Sequence, residues 1–124
     1  FAAVLDDASI ADPQAVERVV CCSGKVYYDL VNARGDDRRI AVVRAELLYP
    51  WPASAFAALQ QRYPNARFVW CQEEPANMGA WSFVRDRFAF EAVASRRAAA
   101  SPATGSLQRH KAEQAALVAS ALGR

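Results

Sequence analysis

Short apolar runs alternate four times with segments of helical periodicity along these 124 residues, and that rhythm constrains the fold more than any single motif. Such alternation predicts βαβ units around a mainly parallel sheet, an α/β fold of three layers with helices on both faces. The first strand is predicted over Arg18–Cys22, followed by a helix with Val26, Tyr27, Leu30 and Val31 on one stripe and Gly35 as its cap. A second strand is expected over 40–48. Pro50 and Pro52 then precede a helix carrying Phe56, Leu59 and Tyr63, which Pro64 closes. A third strand over 67–72 ends in Glu73, Glu74 and Pro75, and a helix follows with Trp81, Val84 and Phe88 inward and Arg85 and Arg87 outward. Residues 92–100 read either as an edge strand or as an extension of that helix. The last helix spans 106–122 with Leu107, Ala115, Val118 and Leu122 inward, and residues 1–8 form an entering arm to a single domain.

A chain of this length with 53% hydrophobic and 23% charged residues buries a sizeable core. A net charge of +2 gives no concentrated basic face for nucleic acid. No apolar run approaches the roughly 20 residues of a membrane-spanning helix. The chain opens on Phe1 instead of Met, which reads as a piece of a longer polypeptide. Cys21 and Cys22 are neighbours in a strand and face opposite sides of the sheet, while Cys71 lies in another apolar strand. With no C-x-x-C pair, they read as buried thiols of a reducing compartment.

Several groups invite a chemical reading. Ser23-Gly24-Lys25 sits between strand and helix, as in a phosphate loop, but Val19 stands where that pattern needs glycine and Val26 where it needs Ser or Thr. A tight turn capped by Ser23, with Lys25 solvated, accounts for it better. Glu73 and Glu74 are adjacent in a strand end and point apart, which suits capping or arginine pairing more than acid–base catalysis. His110 lacks ligand-type neighbours at metal spacing. Trp70 and Trp81 fit the core, whereas Trp51, between two prolines, is the tryptophan expected to be exposed for packing against another domain. Arg96 and Arg97 are either a solvated charge pair or a site for phosphate-like anions beside the small residues that follow.

Four runs resemble one family in order and spacing. Cys22-Ser23-Gly24-Lys25-Val26-Tyr27-Tyr28-Asp29-Leu30 is the first, and Arg44-Ala45-Glu46-Leu47-Leu48-Tyr49-Pro50-Trp51-Pro52 the second. Phe68-Val69-Trp70-Cys71-Gln72-Glu73-Glu74-Pro75 leads into Asn77-Met78-Gly79-Ala80-Trp81 as the third. Ser101-Pro102-Ala103-Thr104-Gly105-Ser106 is the fourth, followed by a closing helix with Lys111 and Glu113. Together they resemble the C-terminal domain of the thiamine-dependent 2-oxoglutarate dehydrogenase family, over most of the chain.

The resemblance implies a transketolase C-terminal-like fold that supports a homodimer. It also implies a parent enzyme that uses thiamine diphosphate and Mg2+, bound outside this segment, to decarboxylate 2-oxoglutarate. The succinyl group then passes to the lipoyl arm of the dihydrolipoyl succinyltransferase component. No catalytic or metal-binding residue is expected within the segment. Location would be cytoplasmic in a bacterium or the mitochondrial matrix in a eukaryote. Some members bind the activator acetyl-CoA at this domain's edge, through a tract that Ser95-Arg96-Arg97-Ala98 resembles, which adds Gln72 and Arg44 as further contacts. Met78 and Leu47 stand where the family has glutamine, and Ser95 and Arg97 where many members have glycine and proline, which bears on that regulation. Relatives acting on 2-oxoadipate share the domain. The alternative is a free-standing α/β module that binds a nucleotide or CoA-like anion.

Overall fold

The computed structural model describes residues 2–97 and 107–124. Five strands form one sheet: β1 (Val4–Leu5), β2 (Arg18–Cys22), β3 (Ile40–Ala45), β4 (Arg67–Pro75) and β5 (Ala92–Arg96). Their spatial order is β1-β3-β2-β4-β5, parallel throughout except for β1, which runs antiparallel to β3. The helices are α1 (Val26–Arg34), α2 (Ala53–Arg62), α3 (Trp81–Val84) and α4 (Leu107–Ala121). This is the three-layer α/β arrangement that the alternation predicts.

Two-sided burial explains the layering. Val19, Val20, Cys21 and Cys22 of β2 are fully buried, so the central strand has no solvent face. Val19 and Cys21 join one core with Val43, Phe56, Tyr63, Phe68, Trp70 and Val84, beneath α2 and α3. Val20 and Cys22 join the other with Val26, Leu30, Val42, Cys71, Leu117 and Val118, beneath α1 and α4. The adjacent cysteines therefore do face opposite layers, as strand pleating requires.

Several boundaries differ from the sequence expectation. β3 stops at Ala45, because the next two backbone amides turn to the arm: Glu46 and Leu47 donate to the Ala3 carbonyl at 2.8 and 3.1 Å. β4 runs on through both carboxylates to Pro75, since β5 pairs with it across a register irregularity that ends at Pro75 opposite Arg96. The third helix is one turn only. Phe88 and Phe90 leave its register to stack among Phe56, Phe68 and Trp70, and that aromatic packing outweighs local helical periodicity. Trp51 is not an outward platform; it stacks on Phe56 at 4.4 Å. In α4 the buried stripe is Leu117, Val118 and Ala121, continued by Leu122 just past its end, whereas Leu107 and Ala115 are exposed. Residues 92–96 settle as an edge strand, and the Ser-Pro-Ala-Thr-Gly turn lies outside the described residues.

Ser23 does not cap α1. The turn there is made by Gly24 at φ 83, a left-handed conformation that suits glycine, with Gly24 and Lys25 carbonyls accepting from the Tyr27 and Tyr28 amides. The arm is tied down by a buried ion pair. Arg34, at the end of α1, donates through Nη1 to Asp7 Oδ2, which also accepts the Val42 amide at 3.0 Å, while Asp7 Oδ1 accepts from Ser9. Burial opposes the charged form of Asp7. The hydrogen bonds from Ser9, Val42 and Arg34 outweigh it and hold the carboxyl below its usual range.

Because that pair is buried, Arg34→Met is expected to destabilise the fold by about 3–5 kcal/mol, leaving Asp7 charged and buried without its counter-ion. A depressed native pKa makes the Asp7 contribution complete above the unfolded value of 3.8 and lost as pH falls below it. Urea titrations between pH 7 and pH 2 should therefore show a shallower acid slope for Asp7→Asn than for the unmodified chain. Identical slopes would remove Asp7 from the acid response.

Candidate functional site

Parallel strands all point their carboxyl ends to one side, where helix starts and loops collect and where ligands of open α/β sheets bind. Here that edge holds the ends of β2, β3, β4 and β5 and the first turn of α1. Strand pleating divides its polar residues between the two faces. Arg44, Glu73 and Arg96 lie on the α1–α4 side; Gln72 lies on the opposite side with Trp70.

On the α1–α4 side a hydrogen-bonded chain crosses the strand ends. Lys25 Nζ meets Glu73 Oε1 at 3.0 Å. Gln114 Nε2 donates to the same oxygen at 2.9 Å and to Asp29 Oδ2 at 2.9 Å. Gln114 Oε1 accepts from Arg96 Nη2 at 2.6 Å, and Arg96 Nη1 pairs with Glu113 Oε2 at 3.0 Å. α4 is thereby fastened to both α1 and the β4–β5 edge. Glu73 is engaged with Lys25 and Gln114 and makes no pair with Glu74, so the two carboxylates do not form an acid–base couple. Sequence reading missed Gln114, the hub of this chain; nothing in a helical glutamine's local pattern tells which strand end it will face.

Arg96 and Arg97 line a shallow groove of about 230 Å³ with Ser95, Glu113, Ala116, Leu117 and Ser120. Arg97 is exposed and makes no ion pair with any described residue. The structure thus brings these two candidates together. Arg44 sits three strands away, held by Glu46 at 2.5 Å and by the Tyr28 hydroxyl at 3.2 Å. It lines no part of the groove.

Gln72 is buried and fully engaged. Its Oε1 accepts from Trp70 Nε1 at 3.0 Å and from the Trp81 amide at 2.9 Å. Its Nε2 donates to the carbonyls of Glu74, Pro75 and Met78 at 3.2, 2.8 and 2.8 Å. One side chain therefore shapes the whole 72–81 loop. Gly79 completes it: φ is 66°, and a Cβ there would lie 3.2 Å from Gln72 Nε2 and 3.1 Å from the Glu74 carboxylate. Met78 enters this arrangement through its backbone carbonyl, while its side chain is exposed. The loss of the family's glutamine at that position leaves the loop's hydrogen bonds intact.

The thiols offer no nucleophile. Burial, with Glu73 nearby, pushes Cys71 up to about 12, and burial beside Cys71 raises Cys22 further. Among the described residues no three His, Cys, Asp or Glu side chains converge as metal ligands, and no helix is long and apolar enough to cross a membrane. The polar residues at this edge hold its loops and helices in shape. Gln72→Leu should cost about 2–3 kcal/mol, because several buried polar groups lose their partner together. Thermal unfolding tests this, and an unchanged midpoint would rule out the clamp.

Residues 1–122 match the family model described as 2-oxoglutarate dehydrogenase C-terminal. The chain is 42% identical to a 2-oxoglutarate dehydrogenase E1 component of Rickettsia felis over 99% of its own length. It is 44% identical to one of Cupriavidus necator over all of its length, and 46% identical to one of Brucella anthropi over 87%. It spans only about 14% of the length of the first two of these curated relatives and 12% of the third. With the family model covering nearly every residue, the chain belongs to the 2-oxoglutarate dehydrogenase C-terminal family.

Proposed function

We propose that this chain is the C-terminal domain of a 2-oxoglutarate dehydrogenase E1 component, carried by the family match across residues 1–122. In the parent enzyme, thiamine diphosphate and Mg2+ supply the decarboxylating chemistry from other domains; no donor set among the described residues fits the metal. The succinyl group passes to the lipoyl arm of the succinyltransferase component. This segment supports dimer assembly and presents the Arg96–Arg97 groove to the phosphates of acetyl-CoA.

Two features support the second role. Arg97 offers a guanidinium without a described counter-charge, and Arg96 stands beside it in the same groove. Gln72 shapes the β4 exit loop and Arg44 pairs with Glu46 at the β3 end, and neither lines the groove.

The intact parent chain, supplied with thiamine diphosphate and Mg2+, is expected to decarboxylate 2-oxoglutarate faster when acetyl-CoA is added. Arg96→Ala combined with Arg97→Ala should weaken acetyl-CoA binding by tenfold or more, about 1.4 kcal/mol, in calorimetry. Unchanged affinity would discard the groove. Activity on 2-oxoadipate instead would reassign the substrate, and anion binding without any decarboxylation would favour a free-standing binding module.

A further inference from the structure

The amino edge of the sheet, opposite the strand ends described above, holds a cavity of about 410 Å³ that the proposed function does not use. It lies between the starts of β2, β3 and β4 and the residues that follow α4. Its charged lining is Glu17, Arg18, Asp37, Arg39, Arg67 and Arg124, so four guanidiniums share it with two carboxylates. Two of the four are engaged. Arg39 pairs with Asp37 through two hydrogen bonds, at 3.0 and 3.1 Å. Arg124 meets the same carboxylate at 3.4 Å. It also donates to the Ala33 and Arg34 carbonyls at 2.6 and 3.3 Å, at the end of α1, where a cation suits the helix dipole.

Arg18 and Arg67 are not neutralised in this way. They are in-register neighbours on β2 and β4, and such neighbours in parallel strands point to the same face, so two like charges emerge side by side. Arg18 is half-buried and makes no ion pair with any described residue; its Nη1 donates to the Ala121 carbonyl at 3.3 Å. Arg67 is exposed and meets Glu91 only at 3.8 Å, a contact worth little in water. The backbone makes room for the Arg18 guanidinium: Gly123 takes φ 75°, and a Cβ there would lie 2.7 Å from Arg18 Nη2. A partly desolvated cation beside a second cation calls for an anion with several oxygens, and guanidinium forks match phosphate geometry. The cavity has the size of a small-molecule site. We propose that the amino-edge cavity binds an organic phosphate, whose phosphate oxygens are held between Arg18 and Arg67. This site shares no lining residue with the Arg96–Arg97 groove and stands independently of the enzymatic reading.

The test uses the intact polypeptide that contains this chain, saturated with thiamine diphosphate and Mg2+ and carrying Arg96→Ala and Arg97→Ala, so that other phosphate sites are filled or removed. Inorganic phosphate is the probe, and phenylglyoxal, which modifies accessible arginines, reports on it by peptide mass spectrometry. Phosphate should slow modification of Arg18 and Arg67 by about fivefold or more, while Arg38, exposed and outside the cavity, should react at the same rate with and without it. In calorimetry, Arg18→Gln combined with Arg67→Gln should weaken phosphate binding by about tenfold or more, and Arg38→Gln should leave it unchanged. Equal modification of Arg18 and Arg67 with and without phosphate would overturn the proposal, as would unchanged affinity in the double variant. The protection experiment keeps both cavity arginines in place, so it decides even where the double variant fails to fold. Decarboxylase activity enters neither measurement, so the proposal and the enzymatic reading can fail separately.

Discussion

Complete burial of β2 is the constraint from which the rest of the structure follows. A strand with four consecutive residues at zero exposure needs a strand on each side and a helical layer on each face. β3 and β4 supply the flanks, and their parallel register sends every connection back across the sheet as a helix. Cys21 and Cys22 mark the division between layers, one thiol in each core. Both are raised by burial, which makes them packing residues and not reactive ones.

Parallel strands also create the functional asymmetry. Their common direction collects the ends of β2, β3, β4 and β5 and the start of α1 on one edge, and the polar chemistry there is largely spent on fastening loops. Gln72 satisfies five backbone and side-chain groups of the β4 exit. The chain from Lys25 through Glu73 and Gln114 to Arg96 holds α4 in place. The polar side chains of this edge are thus largely paired with one another and with the loop backbone.

Local signals carried the core strands. Val19–Cys22, Ala41–Val43 and Phe68–Cys71 are apolar runs too short for helices, and each is a buried strand. The helix over Val26–Arg34 ends where Gly35 takes φ 61. Failures came where distant contacts override local pattern. Phe88 carries helical spacing but is drawn into ring contacts with Phe56 and Phe68, residues about 30 and 20 positions earlier. Trp51 between prolines looks exposed by composition, yet Phe56 offers it a parallel ring. For the candidate site, Arg96 and Arg97 were legible as adjacent cations. Glu113, Gln114 and Ser120 complete their surroundings from a helix whose facing direction no local pattern specifies.

By itself the amino-acid sequence determined the class of fold, the central strands and the family, because apolar periodicity and ordered motifs are properties of neighbouring residues. Tertiary structure decided which polar groups are available. It turned Gln72 from a possible ligand contact into a buried clamp, gave Asp7 of the arm its partner in Arg34, and placed Arg44 apart from Arg96. Hydrogen-bond partners separated by 27 or 41 positions, as for Asp7 with Arg34 and Glu73 with Gln114, exist only once the sheet has brought its strands and helices together.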